Sequence, residues 1–365
     1  LERLIQAEFE QERFPEAARF ARRLVECDPL NEAAHRHLIS AAMRGGDLVS
    51  ARRHYQFCSE VLERTLGVSP AEETRALLAA PISAAPAALP ISTVRYVGVD
   101  GLHVAYRTIG EGPVDILLVP GFVSHVERAL EDRNCRRWME SVAKIGRVIL
   151  FDRRGVGLSD RIDAHPTPEA IAGDMQAVLD ALASRRAIVV AASEGGPGSL
   201  LFTARFPERV QHLILWGAMA KGCRSPDYPF ALSAQQFDLW LGKLTREWGE
   251  ALDLRTFAPS LADDAPTRRW WASLLRAASS PGSMRAVLSA LRDVDVRPLL
   301  GQIAVPTTVM HRKGDQAVRM EAAVYMAERI PEARLVLVEG ADHWFWAGDQ
   351  EPLISEIEEA ARRPA

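Results

Sequence analysis

The chain predicts an α/β fold, a mostly parallel sheet covered on both faces, preceded by an all-α unit of helical hairpins. Three observations point there. From Thr93 onward, short apolar runs alternate with helical patterns, as a parallel sheet requires when each strand must return across one of its faces. Before about Ala80 there is no strand pattern, only amphipathic helices broken by turns. Between the two lies 79–92, rich in Ala, Pro and Ser, where Pro81, Pro86 and Pro90 oppose helix; it reads as a linker between domains 1–78 and 93–365.

In the first domain, turn signals stand at Phe14-Pro15, Asp28-Pro29, Gly45-Gly46-Asp47 and Gly67-Val68-Ser69-Pro70. Ala17, Ala21, Leu24 and Val25 share one helical face, and Ala51, Tyr55, Cys58, Leu62 and Leu66 another. Small Ala at the crossings lets helices approach closely, as in tetratricopeptide packing, although no clean 34-residue repeat is present. His35, His37 and His54 read as surface or core residues rather than ligands.

In the second domain, Val94 to Val99 and His103 to Thr108 flank Asp100-Gly101 and predict an antiparallel hairpin. Further strands are expected at Asp115 to Val119, Val148 to Phe151, Ala187 to Ala191, Val210 to Trp216, Thr307 to Met310 and Arg334 to Val338. Helices are expected at Arg136 to Ile145, Pro168 to Ala183 with Thr167 as cap, Gly196 to Phe206, and Pro352 to Arg362. The stretch from about 218 to 295 reads as an insertion of amphipathic helices. Phe237, Trp240, Leu241, Leu244 and Trp248 share one face, Trp270, Trp271, Leu274 and Leu275 a second, and Met284, Val287, Leu288 and Leu291 a third.

One stretch organises the rest. The apolar run Ala187 to Ala192 ends in Ser193, and a helical pattern of Leu200, Leu201, Ala204 and Phe206 follows at once. A serine at such a strand–turn–helix junction takes a strained backbone, so the residues two before and two after it must be small; here they are Ala191 and Gly195. The turn presents the hydroxyl at the strand tip, while the helix aims its first N–H groups at any oxyanion formed there.

Composition limits the function classes. The chain is 48% hydrophobic and 25% charged with a net charge of −4, which fits a protein with a large core and supplies no electrostatic footprint for nucleic acid. Residues 1–80 hold 11 Arg, no Lys and 13 Asp plus Glu, so direct nucleic-acid binding by this chain is not expected. Cys27, Cys58, Cys135 and Cys223 lack metal spacing and read as reduced thiols of a cytoplasmic protein. No apolar run spans a membrane and no export signal is present, so no membrane association is expected. Leu1 already stands in a helical pattern, and the chain reads as part of something longer.

Several motifs carry family resemblances. Asp28-Pro29-Leu30-Asn31-Glu32-Ala33-Ala34-His35-Arg36, Gly45-Gly46-Asp47 and Leu62-Glu63-Arg64-Thr65-Leu66-Gly67-Val68-Ser69-Pro70 resemble the bacterial transcriptional activation domain of antibiotic-regulatory-type activators. That resemblance implies docking to a protein partner, beside the plainer reading of a helical scaffold. Over residues 93–365 the sequence resembles a serine α/β-hydrolase. Asp152-Arg153-Arg154-Gly155-Val156-Gly157-Leu158-Ser159-Asp160 matches that family's turn after its fourth strand, and Leu118-Val119-Pro120-Gly121-Phe122 stands where its oxyanion loop does. Ala191 and Pro120 replace the family's usual Gly and His. The pieces Pro120-Gly121-Phe122-Val123-Ser124-His125 and Ser193-Glu194-Gly195-Gly196 resemble the subgroup fused to signalling modules.

The resemblance implies Ser193 as nucleophile, Asp315 as acid and His343 as base, in the chain order this fold uses. It also implies an oxyanion hole from the N–H groups of Phe122 and Glu194. The residue types suit the chemistry, because serine needs an imidazole to take its proton and a carboxylate to fix the imidazole's tautomer. Asp342, beside His343, is the alternative acid. His125 and Glu127 are pocket candidates, with Trp344, Trp346 and Trp240 as apolar walls; His311 reads as structural, and His103, His165 and His212 carry no assigned chemistry. The expected function is hydrolysis of a small-molecule carboxylic ester or lactone, without metal or cofactor. The rival is a ligand sensor that binds a small apolar signal and relays occupancy to the helical unit.

Overall fold

In the computed structural model, residues 1–10, 13–45, 48–79, 89–162, 166–250 and 253–363 are described. They fall into two units, Leu1–Ala88 and Leu89–Ala365. The expected turn at Gly46-Asp47, His165 and most of the expected linker lie outside the described residues.

The first unit contains α1 (Glu2–Glu10), α2 (Phe14–Cys27), α3 (Glu32–Arg44), α4 (Leu48–Leu66) and α5 (Glu72–Ala79). Its core joins Ile5 and Phe9 of α1 to Ala17, Ala21 and Val25 of α2 and Ala34, Leu38 and Ala41 of α3, with Ala at the crossings as expected. Asn31 caps α3 by accepting the Ala34 N–H at 3.0 Å.

The second unit is built on a sheet of β1 (Arg95–Val99), β2 (Leu102–Ile109), β3 (Asp115–Val119), β4 (Arg147–Phe151), β5 (Ala187–Ala192), β6 (Val210–Trp216), β7 (Thr307–Arg312) and β8 (Arg334–Val338). Their order is β1-β2-β4-β3-β5-β6-β7-β8; β2 is antiparallel to both neighbours and every other pair is parallel. Asp100 and Gly101 both take positive φ at the β1–β2 turn, which the predicted hairpin demands. Residues expected in the linker already join this unit: Ser92 N–H donates to the Thr108 carbonyl, and Gly110 N–H to that of Pro90.

Alternate residues of each strand enter opposite cores, the period of two that a sheet covered on both faces imposes. Leu117, Val119, Ile149, Phe151, Val189, Ala191, Leu213 and Leu215 pack with Ile171, Met175 and Val178 of α7 (Pro168–Ala181), and with Leu200 and Phe202 of α8 (Gly196–Arg205). Ile116, Leu118, Val148, Leu150, Ile188, Val190 and Ile214 pack with Trp138 and Met139 of α6 (Arg133–Val142), and with residues of the C-terminal helix Glu351–Arg362. Helix α6 starts three residues earlier than expected because Asp132 accepts the N–H groups of Asn134 and Cys135.

Between β6 and β7 lie α9 (Ala234–Arg246), α10 (Leu254–Phe257), α11 (Ala265–Ala278) and α12 (Pro281–Arg292). Their apolar faces close into one cluster containing Phe237, Leu241, Trp270, Trp271, Leu274, Met284 and Leu288, together with Phe122 and Trp344. Two helices follow β7: α13 (Glu321–Ala327), which the sequence reading missed, and α14 (Glu351–Arg362).

Candidate active site

Strand β3 lies between β4 and β5, so the loops leaving β3 and β5 diverge at their C-terminal ends and open a crevice. The register Val119↔Ala191 then puts Pro120 to Phe122 beside Ala192 to Glu194. Ser193 stands at the tip of β5 with φ +53°, the left-handed region that costs a side-chain-bearing residue about 1–3 kcal/mol. Its neighbourhood permits nothing larger two residues on. A Cβ on Gly195 would sit 2.6 Å from the Val119 carbonyl oxygen.

The hydroxyl of Ser193 lies 2.8 Å from His343 Nε2, and His343 Nδ1 lies 2.7 Å from Asp315 Oδ2. Because an ionised carboxylate only accepts, Nδ1–H donates to Asp315 and leaves Nε2 as the acceptor for the serine proton. Asp315 Oδ1 is held by the N–H groups of Ala317 at 2.8 Å and Val318 at 3.2 Å. All of these side chains are buried. Burial pushes the Asp315 carboxyl up, but the His343 charge and hydrogen bond outweigh it, and the group is held below its ordinary value. Burial likewise pulls the His343 imidazole down, yet Asp315 prevails and His343 titrates above its ordinary value.

Asp342 points elsewhere. Its Oδ1 accepts the Ser260 N–H at 2.9 Å, linking it to the segment after α10. His311 Nε2–H donates to the Val318 carbonyl at 2.9 Å, and that nitrogen lies 3.4 Å from Asp315 Oδ2. His125 is buried on the wall of an apolar cavity of about 110 Å³ that runs from Ser193 past Phe122, Glu194, Trp271, Trp344 and Trp346. Glu127 is exposed and does not line it. Trp240 lies instead on a second cavity, of about 310 Å³, which shares Ser193, Glu194 and Phe257 with the first and adds Lys221, Gln236 and Gln316.

Three contributors escaped the sequence reading. Arg312, buried at the end of β7, donates to the carbonyls of Asp342, Trp344, Ala347 and Asp349, so one side chain shapes the whole His343 loop. The signal available was a cation ending an apolar strand. Gly217 follows β6 at φ +50°, and a Cβ there would approach His343 Cε1 to 3.0 Å. Asp152, fully buried, accepts from Ser124 Oγ at 2.7 Å and from the N–H groups of Val126 and Leu158, which ties the loop after β3 to the loop after β4.

Among known proteins, the chain is 30% identical over 229 residues to an AB hydrolase superfamily protein of Bacillus subtilis, covering 60% of this chain and 83% of that one. It is 26% identical over 247 residues to a pimeloyl-[acyl-carrier protein] methyl ester esterase of Nitrosomonas europaea, covering 65% and 91%. An esterase of Exiguobacterium antarcticum has the same fold with a TM-score of 0.63 and 24% identity, over 74% of this chain and 100% of that one. An enol-lactonase of Burkholderia xenovorans does so with a TM-score of 0.61 and 20% identity, over 74% and 100%. Residues 1–80 match the bacterial transcriptional activator domain, the family whose resemblance the helical motifs carried. Residues 116–347 match the model of the α/β hydrolase fold, and the chain belongs to that family.

Proposed function

We propose that this α/β hydrolase cleaves a carboxylic ester or lactone through an acyl-enzyme. Its carrying observation is the unbroken hydrogen-bond chain from Ser193 Oγ through His343 to Asp315. Ser193 attacks the acyl carbon as His343 Nε2 takes its proton; Asp315 holds the tautomer and stabilises the imidazolium. The oxyanion is received by the N–H groups of Phe122 and Glu194, neither of which is bonded to a main-chain acceptor among the described residues. His343 then protonates the leaving alcohol, and water repeats the sequence to free the acid. Relatives named as a methyl ester esterase and a solved enol-lactonase are in keeping with this chemistry. The apolar cavity suits an aliphatic or aromatic acyl group, with Trp344 and Trp346 as its walls.

The test is turnover of 4-nitrophenyl esters of graded chain length by the wild type and Ser193→Ala. Loss of a triad member lowers kcat on the order of 10⁴-fold or more, and covalent labelling by a fluorophosphonate disappears with it. Equal turnover by both proteins would sink the assignment.

A second reading is favoured by the activator-domain match of residues 1–80: the hydrolase unit binds a small ester or lactone signal, and the helical unit docks a protein partner. A ligand shifts an equilibrium only by its differential affinity, so removing residues 1–88 changes ligand affinity about 5-fold or more for a coupling of 1 kcal/mol. Titration of the Ser193→Ala protein with and without that unit measures it. Equal dissociation constants leave only the enzyme.

A further inference from the structure

The loop after β4 carries two adjacent arginines with different surroundings. Arg154 is engaged by carboxylates, Asp174 at 2.6 Å and Asp100 at 3.1 Å. Arg153 is 6% exposed and has no carboxylate within ion-pair distance among the described residues. Its guanidinium instead donates to main-chain carbonyls, Nη2 to Gly121 at 2.6 Å and Nη1 to Glu194 at 3.4 Å. Burial pulls the Arg153 titration down, and the charges of Glu194 and Asp174, which favour the cation, offset only part of that cost, so an apolar side chain would serve mere packing better.

Those carbonyls identify what the cation does. In a trans peptide the C=O and the following N–H point in opposite directions. Drawing the Gly121 carbonyl toward Arg153 therefore turns the Phe122 N–H away from it, on a loop where a Gly121 Cβ would lie 3.3 Å from Ser193 Cβ. The other bond holds the carbonyl of Glu194, the residue whose own N–H is the second oxyanion donor. One planar fork thus spans the loop after β3 and the turn after β5.

We propose that Arg153 is a positioning residue for the oxyanion hole, fixing the N–H groups of Phe122 and Glu194 at the separation that a tetrahedral intermediate requires. This rests on the acyl-transfer reading above. A lysine cannot reproduce the fork, because its ammonium is a point donor that reaches one carbonyl at a time. Misplacement of a preorganised donor by about 1 Å costs on the order of 10²-fold in rate.

The experiment compares Arg153→Met and Arg153→Lys with the wild type on a 4-nitrophenyl ester, and measures inhibition by an alkyl trifluoromethyl ketone and by the matching methyl ketone. The trifluoromethyl ketone forms an oxyanion on Ser193, whereas the methyl ketone reports ground-state binding. The expected result for Arg153→Met is a kcat lower by about 10²-fold with KM within about 3-fold. Trifluoromethyl ketone affinity falls in step with kcat/KM, and methyl ketone affinity is unchanged. Arg153→Lys falls between. A structural role would weaken both ketones alike, and that result, or a wild-type kcat in either variant, overturns the proposal. Should Arg153→Met fail to fold, Arg153→Lys decides alone by the same ketone comparison. If the wild type shows neither Ser193-dependent turnover nor fluorophosphonate labelling, the acyl-transfer reading itself fails and this proposal falls with it.

Discussion

The carbonyl of Phe257 accepts the backbone N–H of His343 at 2.7 Å, so the last residue of α10 in the β6–β7 insertion holds the loop of the candidate base. The same carbonyl lies 3.1 Å from the Trp344 nitrogen, and the Phe257 ring packs on Phe122 at 5.4 Å between centroids. The insertion therefore touches both His343 and the loop that carries Phe122. Phe257→Leu keeps an apolar side chain and the carbonyl but loses the ring contacts. It is expected to lower kcat by about 10-fold at a stability cost of about 1 kcal/mol. Steady-state kinetics paired with urea unfolding checks this; a stability loss with unchanged kcat would deny the insertion a part in catalysis.

Asp315 and Asp342 make different predictions. Asp315→Asn lets the wrong imidazole tautomer form and is expected to cost about 10⁴-fold in kcat. Asp342→Asn keeps an Oδ1 that accepts the Ser260 N–H and alters turnover by about 10-fold or less, since among the described residues Asp342 makes no hydrogen bond to the imidazole. A crippled Asp342→Asn beside a normal Asp315→Asn would reverse the assignment.

The proposed reaction requires neutral His343, and Asp315 holds its titration above the ordinary histidine value. Activity in kcat/KM therefore rises with pH along an acid limb whose midpoint lies above about 6.5. Removing the Asp315 charge by Asn substitution moves that midpoint down. A midpoint that stays in place in the residual activity of Asp315→Asn would show that another group sets the limb.

A methyl group on Gly217 would stand 3.0 Å from His343 Cε1 and 3.1 Å from Nδ1, so the imidazole would have to give way, and the φ of +50° disfavours a side chain as well. Gly217→Ala is expected to displace the imidazole and cut kcat by about 10²-fold, while strain costs about 1–3 kcal/mol of stability. Circular dichroism and kinetics together test it, and wild-type turnover would count against the close approach.

At the opposite end of the sheet, His212 Nε2 lies 2.9 Å from Thr308 Oγ1, which donates to Glu356; Arg334, Glu359 and Arg363 carry the surrounding charges. Burial, then the charge of Arg363, lowers His212 to about 4. The unfolded chain then binds the extra proton first. Stability is full above about pH 6.5 and declines toward pH 4, by up to about 3 kcal/mol. His212→Gln should flatten the urea midpoint across that range, and an unchanged slope would assign the acid sensitivity to other groups.

Local rules made much of this protein legible. Short apolar runs marked the strands, small residues two before and two after Ser193 marked the strained turn, and Asp100-Gly101 marked the hairpin, because each depends on neighbours within a few residues. Ser193, Asp315 and His343 could be named as candidates because the motifs around them resemble those of the serine α/β-hydrolases, and each stands after a predicted strand. What sequence could not supply was anything measured across the sheet. Ser193 and His343 are 150 residues apart, and whether Asp315 or Asp342 faces the imidazole depends on how Arg312 and Phe257 fold the terminal loop. Trp240 carried no mark assigning it to one cavity rather than another. Arg153 stood in the sequence only as part of the turn motif, and Gly217 carried no assigned role, until the register of β3 on β5, and of β6 on β7, brought them against the crevice. Helix and strand propensity act along the chain, whereas a hydrogen bond to a distant carbonyl exists only after the sheet has closed the distance.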